Sequence, residues 1–245
     1  MIFIAKRKRL ILIMFLFLLA LATFLRHEKN ESVFSSRQSG IIVIDAGHGL
    51  PDGGAVGMNG SIESTLNIKI ARLVEKGLKK KGYSVIMTRT DDNSISDEGK
   101  TLAQRKRSDM YKRLEIINSS GGDMFISIHM NKFTDSRYHG AQVIYSDNFI
   151  ESENLAECLQ KKLCDIKENT SKRTHAKAPS GIFLLKNAKI PAVIVECGFL
   201  SNYDEEKLLN TEKYQKLLSS AIVKGIENYY KQDDSKTIIS PQKGA

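Results

Sequence analysis

No tryptophan occurs among the 245 residues, aromatic residues make up only 7%, and there are three cysteines and four prolines. A core in this chain must therefore be packed mainly from aliphatic side chains. Cys158, Cys164 and Cys197 are too few for a disulfide framework and lack zinc-knuckle spacing. The first two lie six apart on an expected helix, so they do not share a face, and all three read as small packing residues. No internal repeat is found, which excludes a solenoid or an array of repeated binding modules. Acidic excess is lacking too: the formal net charge is +9. That charge is concentrated. Residues 1–39 carry seven basic side chains (Lys6, Arg7, Lys8, Arg9, Arg26, Lys29, Arg37) against Glu28 and Glu31, a net +5 and more than half of the total. The basic balance thus belongs to targeting, and no nucleic acid is expected as a partner. The smaller remainder favours, at most, an anionic polymer such as a cell wall.

Residues 10–25, LILIMFLFLLALATFL, form an uncharged apolar run directly after the basic cluster KRKR. At about 1.5 Å per residue the run reaches about 24 Å, slightly less than a hydrocarbon core of about 30 Å. Its length falls between that of a signal-peptide core and a spanning helix. No clean small-residue cleavage site precedes Arg26, although LALA within the run is a candidate, so an uncleaved anchor is the favoured expectation. The positive-inside rule keeps the KRKR end in the cytoplasm and sends the rest of the chain outward. Residues 1–25 are therefore expected to be a signal or anchor segment, 26–40 a polar tether, 41–230 one catalytic domain, and 231–245 a frayed or disordered tail.

Between tether and tail, apolar runs alternate with helical periodicity. IIVIDA (41–46) reads as a buried strand running into a glycine-rich loop. Leu66, Ile70, Leu73, Val74 and Leu78 recur at helical spacing over 63–81, with Gly82 as a stop. Further strands are expected at 83–89, 123–129, 140–146, 181–185 and 192–197. Further helices are expected over 101–119, around Leu155–Ile166, and over 211–230. This alternation predicts an α/β single-domain sandwich, its central sheet largely parallel or mixed and flanked by helices. Ligands of such folds bind beyond the carboxyl ends of the strands.

Three of those strand ends carry groups suited to metal hydrolysis: His48 in DAGHG, His129 in SIHMN and Glu196 in VECGF. Glu63 joins them from the start of the first helix. Two imidazoles and a carboxylate make a hydrolytic zinc set with an open position for water, and a second carboxylate is left to move protons. Each residue also has a plainer reading. A histidine at a strand end is commonly a hydrogen-bonded core or loop residue, and a glutamate in a first helical turn complements the helix dipole. Glu196 is harder to dismiss, because burying an unpaired carboxylate at the end of an apolar strand is costly. Spacing alone leaves open which glutamate binds metal.

DAGHG (45–49), the glutamate of SIESTLN, RLEIIN (113–118), FISIHMN (125–131) and PAVIVECGFLSN (191–202) resemble, block by block and in order, the zinc-dependent N-acetylmuramoyl-L-alanine amidase family, type 3. The likeness runs from about residue 41 to 230. It implies hydrolysis of the linear amide joining N-acetylmuramic acid to L-alanine in peptidoglycan, outside the cytoplasmic membrane. It further implies one Zn2+ per chain held by His48, Glu63 and His129, with Glu196 as the catalytic glutamate. A lone catalytic domain behind a hydrophobic segment is most similar to the spore-cortex, germination-specific branch, which removes stem peptides during muramic-lactam formation. Lacking an inhibitory insertion, the chain leaves room for a separate activating protein.

Weaker candidates remain. Asn131 is read either as a substrate-orienting group or as a turn residue. Arg113 reads as a packing-related ion pair, His27 and His139 as solvated or surface groups, and His175, in the basic loop SKRTHAK, as either a glycan contact or a solvated group. The rival functions are another zinc hydrolase, a peptidase or deacetylase, and a catalytically silent wall-binding module. The N-terminal reading has a direct check. Protease added to intact protoplasts should remove the domain beyond residue 40; full protection within a demonstrably sealed membrane would refute export.

Overall fold

The computed structural model describes residue 14 and residues 40–96, 98–171 and 173–239, with side chains as far as residue 232. Apart from residues 14 and 40, the expected anchor and tether lie outside the described residues, as do residues 240–245. No helix among the described residues is long and apolar enough to cross a membrane.

The chain builds β1 (Ile41–Ala46), α1 (Glu63–Lys80), β2 (Ser84–Met87), α2 (Leu102–Ser119), β3 (Met124–Asn131) and β4 (Gln142–Tyr145), then α3 (Ile150–Cys164), β5 (Ala176–Lys177), α4 (Phe183–Asn187), β6 (Ala192–Phe199), α5 (Tyr203–Leu209) and α6 (Glu212–Ile239). The six strands form one sheet in the order β2-β1-β3-β6-β4-β5. Strands β2, β1, β3 and β6 are mutually parallel, and β4 pairs antiparallel with β6. The sheet is therefore mixed, as the sequence pattern predicts. Because β4 runs the other way, it begins at the same edge where β1, β3 and β6 end.

Successive strand side chains point to opposite faces, and each face is apolar. Ile42, Ile44, Ile126, Ile128, Val193 and Val195 meet Leu66, Ile70 and Val74 of α1, Leu155 and Leu159 of α3, and Leu218, Ile222 and Ile226 of α6. Val43, Phe125 and Ile194 meet Ile117 of α2 and Leu184 and Leu185 of α4 on the other side. The near-continuous apolar runs of β1 and β6 follow from this double coverage. The helices α3 and α6 cross closely at Gly225, where an added Cβ would lie 2.8 Å from the Leu159 Cα.

Local chemistry sets the helix bounds. Thr101 caps α2 through its side chain while Gln104 returns the bond to the Thr101 backbone, a complete capping box. Past α1, Gly82 adopts φ +89°, a conformation in which a Cβ would be strained. The run at 181–185, expected as a strand, is instead part of a short helix. Lys186 N donates to the Ile182 carbonyl and Ala188 N to that of Leu184, and one turn suffices to bury Leu184 and Leu185. A four-residue apolar run carries no periodicity that separates the two states. The last helix continues to Ile239 rather than ending near 230, since no glycine or proline occurs between Gly225 and Pro241. Strand β5 and helix α5 have no counterpart in the sequence reading; one is two residues long and the other seven.

A charged cluster is buried within this apolar layering. Asp45, fully buried on β1, accepts hydrogen bonds from Thr88 and Ser127 and an ion pair from Arg113 of α2 at 2.5 Å. Arg113, 1% exposed, also binds Asp109 at 2.7 Å and donates to the carbonyls of Ala46 and His48. Its reading as a packing-related ion pair is thus correct. Burial by itself would raise the Asp45 pKa, but Arg113, Ser127 and Thr88 together hold it down to about 2.

Removing one partner strands the other charge in the core, so Arg113→Met should cost about 3–5 kcal/mol in urea unfolding of the purified protein. The folded-state pKa of Asp45 lies below its ordinary 3.8, so its stabilisation is complete above that value and is lost as pH falls toward 2. Asp45→Asn should flatten that acid limb. An unchanged limb would remove Asp45 from the acid response.

Candidate metal centre

Four elements deliver side chains to the edge where the parallel strands end. After β1 the chain turns at Gly47 and His48, and His48 adopts φ +59°, uncommon for a residue with a Cβ. Two buried arginines hold this turn by its carbonyls. Arg113 takes those of Ala46 and His48, while Arg89 binds Ala46 at 2.7 Å and Gly47 at 3.0 Å. Glycine is required at position 47 because a Cβ there would sit 2.1 Å from the His129 ring.

Glu63 opens α1 but does not merely complement the helix dipole. Its side chain turns back into the site, almost fully buried, and its two oxygens are divided between two imidazoles. Oε1 lies 2.9 Å from His129 Nδ1 and Oε2 lies 3.3 Å from His48 Nε2. Backbone N–H groups of Met130 and Ala55 donate to the same oxygens at 3.1 and 2.8 Å. Burial would raise the Glu63 pKa, yet His129, His48 and the Ala55 N–H hold it near 2. The two histidine rings meet edge to face, centroids 5.1 Å apart.

The ligating atoms of His48, Glu63 and His129 all lie within 4.8 Å of one another. Two imidazole nitrogens converging on a carboxylate that stays ionised fit a divalent cation bound at about 2.0–2.2 Å. The remaining nitrogen of His48 supports that fit. Its Nδ1 is 3.0 Å from Asp52, whose carboxyl is held well below its usual range by that bond and by Lys106 3.0 Å away. A carboxylate behind a histidine fixes the ring and its tautomer, as is usual around bound metals.

Glu196 has the opposite environment. It is the β6 register partner of His129 on β3, which places the two side chains on one face of the sheet. Its Oε2 is occluded and has no hydrogen-bond partner among the described residues. Burial raises its pKa most, Glu63 adds to the rise and His129 opposes it, leaving a value of about 7. Burial would lower the His129 pKa, but the carboxylates of Glu63, Glu196 and Asp45 raise it.

All four sequence candidates therefore converge at one edge. Asn131 ends β3 half-buried, and its carbonyl accepts from Leu200 N at 2.8 Å. His139 is exposed, with Nδ1 against the Arg137 carbonyl at 2.9 Å. His175 packs near Tyr145, with ring centroids 5.8 Å apart. Sequence reasoning missed Asp52, four residues beyond His48 in the same loop, where a carboxylate so placed is a readable signal. It also missed Glu206, completely buried, which accepts from Asn59 N and Ser61 N and so anchors the loop leading into Glu63. No local signal identifies Glu206, because its partners lie about 147 residues away.

Residues 42–228 match the family model described as N-acetylmuramoyl-L-alanine amidase. The germination-specific N-acetylmuramoyl-L-alanine amidase of Bacillus subtilis is 40% identical over 191 residues, spanning 78% of this chain and 79% of the relative. The CwlD amidase of Clostridioides difficile, solved in complex with the GerS lipoprotein, superposes with a TM-score of 0.76 at 39% identity, covering 80% of this chain and 100% of that one. Another N-acetylmuramoyl-L-alanine amidase, from Clostridium difficile 630, gives 0.70 at 28% identity over 79% of this chain and 98% of its own. With the matched span taking in nearly all of the sheet and the four candidate site residues, this chain belongs to the N-acetylmuramoyl-L-alanine amidase family.

Proposed function

We propose that this chain hydrolyses the amide between N-acetylmuramic acid and the L-alanine of the stem peptide, using one zinc ion held by His48, Glu63 and His129. Its place of action is the wall side of the cytoplasmic membrane, reached through the N-terminal segment. Its proposed role is stem-peptide removal in the spore cortex, in keeping with the germination-specific relative. A separate activating protein is part of the proposal, since the similar CwlD amidase was solved with a lipoprotein.

The observation that carries the assignment is the contrast between two glutamates that both act on His129. Glu63 is held ionised by two imidazoles and two backbone donors, which suits a ligand and leaves it a poor base. Glu196 has a free oxygen and a pKa of about 7, close to the operating pH that general acid–base catalysis favours. Zinc, when bound, polarises the scissile carbonyl and lowers the pKa of the attacking water. The Glu196 carboxylate takes the proton released as the water oxygen bonds to the carbonyl carbon. It then passes that proton to the departing nitrogen of L-alanine as the C–N bond breaks. The products are the muramyl carboxylate and a stem peptide with a free amino terminus. Asp52 keeps the His48 ring oriented throughout, and Asn131, at the end of β3, orients substrate beside it.

Two substitutions separate the roles. His129→Ala should sharply lower zinc stoichiometry by elemental analysis while the fold persists; unchanged metal content would refute the ligand assignment. Glu196→Gln preserves volume but cannot accept a proton. It should retain zinc while the release of stem peptide from purified muropeptides falls about 10²–10⁴-fold. Near-normal turnover would remove Glu196 from the mechanism, and loss of zinc with the fold retained would make it a ligand. Cleavage within the peptide, or release of acetate, would replace the amidase reading with a peptidase or a deacetylase.

A further inference from the structure

Beside the metal centre the sheet carries a cation that the proposed reaction does not use. Gln142, the first residue of β4, is the antiparallel register partner of Glu196. Its side chain is fixed from two directions. Nε2 donates to the Thr174 carbonyl at 2.9 Å, and Oε1 accepts from Nε and Nη2 of Arg173 at 3.2 and 2.8 Å. The guanidinium carbon of Arg173 lies 5.0 Å from the Phe199 ring centroid and 5.9 Å from that of Tyr138. Tyr138 in turn packs against Phe133 at 4.7 Å, and these two rings are 43% and 50% exposed. The stack therefore opens to solvent at the edge that holds the metal centre.

Arg173 has no carboxylate partner among the described residues, and its Nη1 has no acceptor there. Glu205 lies near enough to feel its charge. Both oxygens of Glu205, however, are engaged by backbone N–H groups, Gly140 at 2.8 Å and Phe199 at 2.7 Å. A planar guanidinium held by an amide oxygen and aromatic faces, with donors left over, is the usual receptor for a carboxylate.

We propose that Arg173 receives a carboxylate of the stem peptide and sets a preference for acidic over amidated peptide. The inference rests on the amidase reading. Distance supports it. Neighbouring strands are about 4.8 Å apart, so the Gln142–Arg173 unit begins one strand beyond Glu196 and two beyond His129. An extended peptide advances about 3.3–3.6 Å per residue, so the second stem residue lies roughly 7 Å from the scissile nitrogen. When that residue is a glutamate joined onward through its side chain, its α-carboxylate is free at this position. Arg173 then fixes the leaving peptide across β4 while Glu196 moves the proton. It is a specificity-determining residue, not part of the proton transfer.

The test uses the full chain and two synthetic probes. One is the γ-linked tripeptide L-alanyl-D-glutamyl-L-lysine, the other its isoglutamine counterpart, which lacks the free α-carboxylate. By calorimetry the wild-type protein should favour the carboxylate form about tenfold to a hundredfold. Arg173→Ala should abolish that preference by weakening the carboxylate form alone, and Arg173→Lys should keep part of it. On the corresponding muropeptides, Arg173→Ala should raise KM for the acidic substrate and leave kcat nearly unchanged. Equal binding of both peptides by the wild type overturns the proposal and requires no variant. Equal weakening of both by Arg173→Ala also overturns it, since a merely structural role through Gln142 would act that way. Should that variant fail to fold, the wild-type and Arg173→Lys comparisons still decide. A retained peptide preference without cleavage of the muramyl–alanine amide would refute the amidase reading and leave the carboxylate receptor standing.

Discussion

The buried ion pair between Asp45 and Arg113 is the constraint on which the rest of the site depends. Arg113 is almost wholly inaccessible, and a guanidinium in such a place is tolerated only when its charge and donors are matched. Asp45 and Asp109 match the charge, and the carbonyls of Ala46 and His48 take further donors. Those carbonyls belong to the turn that aims His48. The same pair that secures α2 against the sheet thus also fixes the turn leading out of β1. Arg89 grips the turn from the β2 side and reaches the Ser64 carbonyl at the start of α1. The left-handed conformation of His48 is held by these bonds to its neighbours, because an isolated residue with a Cβ disfavours it.

Around this fixed turn, two residues of the same type acquire different chemistry. Glu63 and Glu196 are both largely removed from water, which by itself raises a carboxyl pKa. Glu63 enters from a helix start, where its oxygens meet two imidazoles and two backbone donors. Glu196 enters from the middle of the sheet edge, where one oxygen finds no donor among the described residues. Hydrogen bonding to the charged form outweighs desolvation in the first case and not in the second. The proposed division into ligand and base follows from that difference in neighbours.

Sheet order accounts for the lateral extent of the site. Placing β6 between β3 and β4 sets His129, Glu196 and Gln142 in a row across three strands. The reversal of β4 is what brings its first residue, and the segment carrying Arg173, to the edge that holds the candidate site. Were β4 parallel to β6, its first residue would lie at the opposite edge of the sheet. Glu205 and Glu206, buried at the start of α5, hold the surrounding loops through backbone donors of Phe199, Gly140, Asn59 and Ser61.

Much of this was legible along the chain. Continuous apolar runs identified β1, β3 and β6, helical periodicity identified α1 and α6, and the residues that end those strands identified His48, His129 and Glu196. Such signals are local, set by a pleat of period two or a helix of period 3.6, and by the need for polar groups where a strand meets solvent. The helix at 183–187 was not legible, because a single turn has too few residues for a period to be read. Spacing alone left Glu63 and Glu196 undivided; the family resemblance implied their roles, and the physical difference depends on donors contributed by Met130, Ala55 and two histidines brought together only by folding. The sequence by itself determined which residues lie at strand ends and which faces are apolar. Tertiary structure alone decided which carboxylate is satisfied, which is orphaned and which cation stands beside them, because each of those properties is set by neighbours distant along the chain.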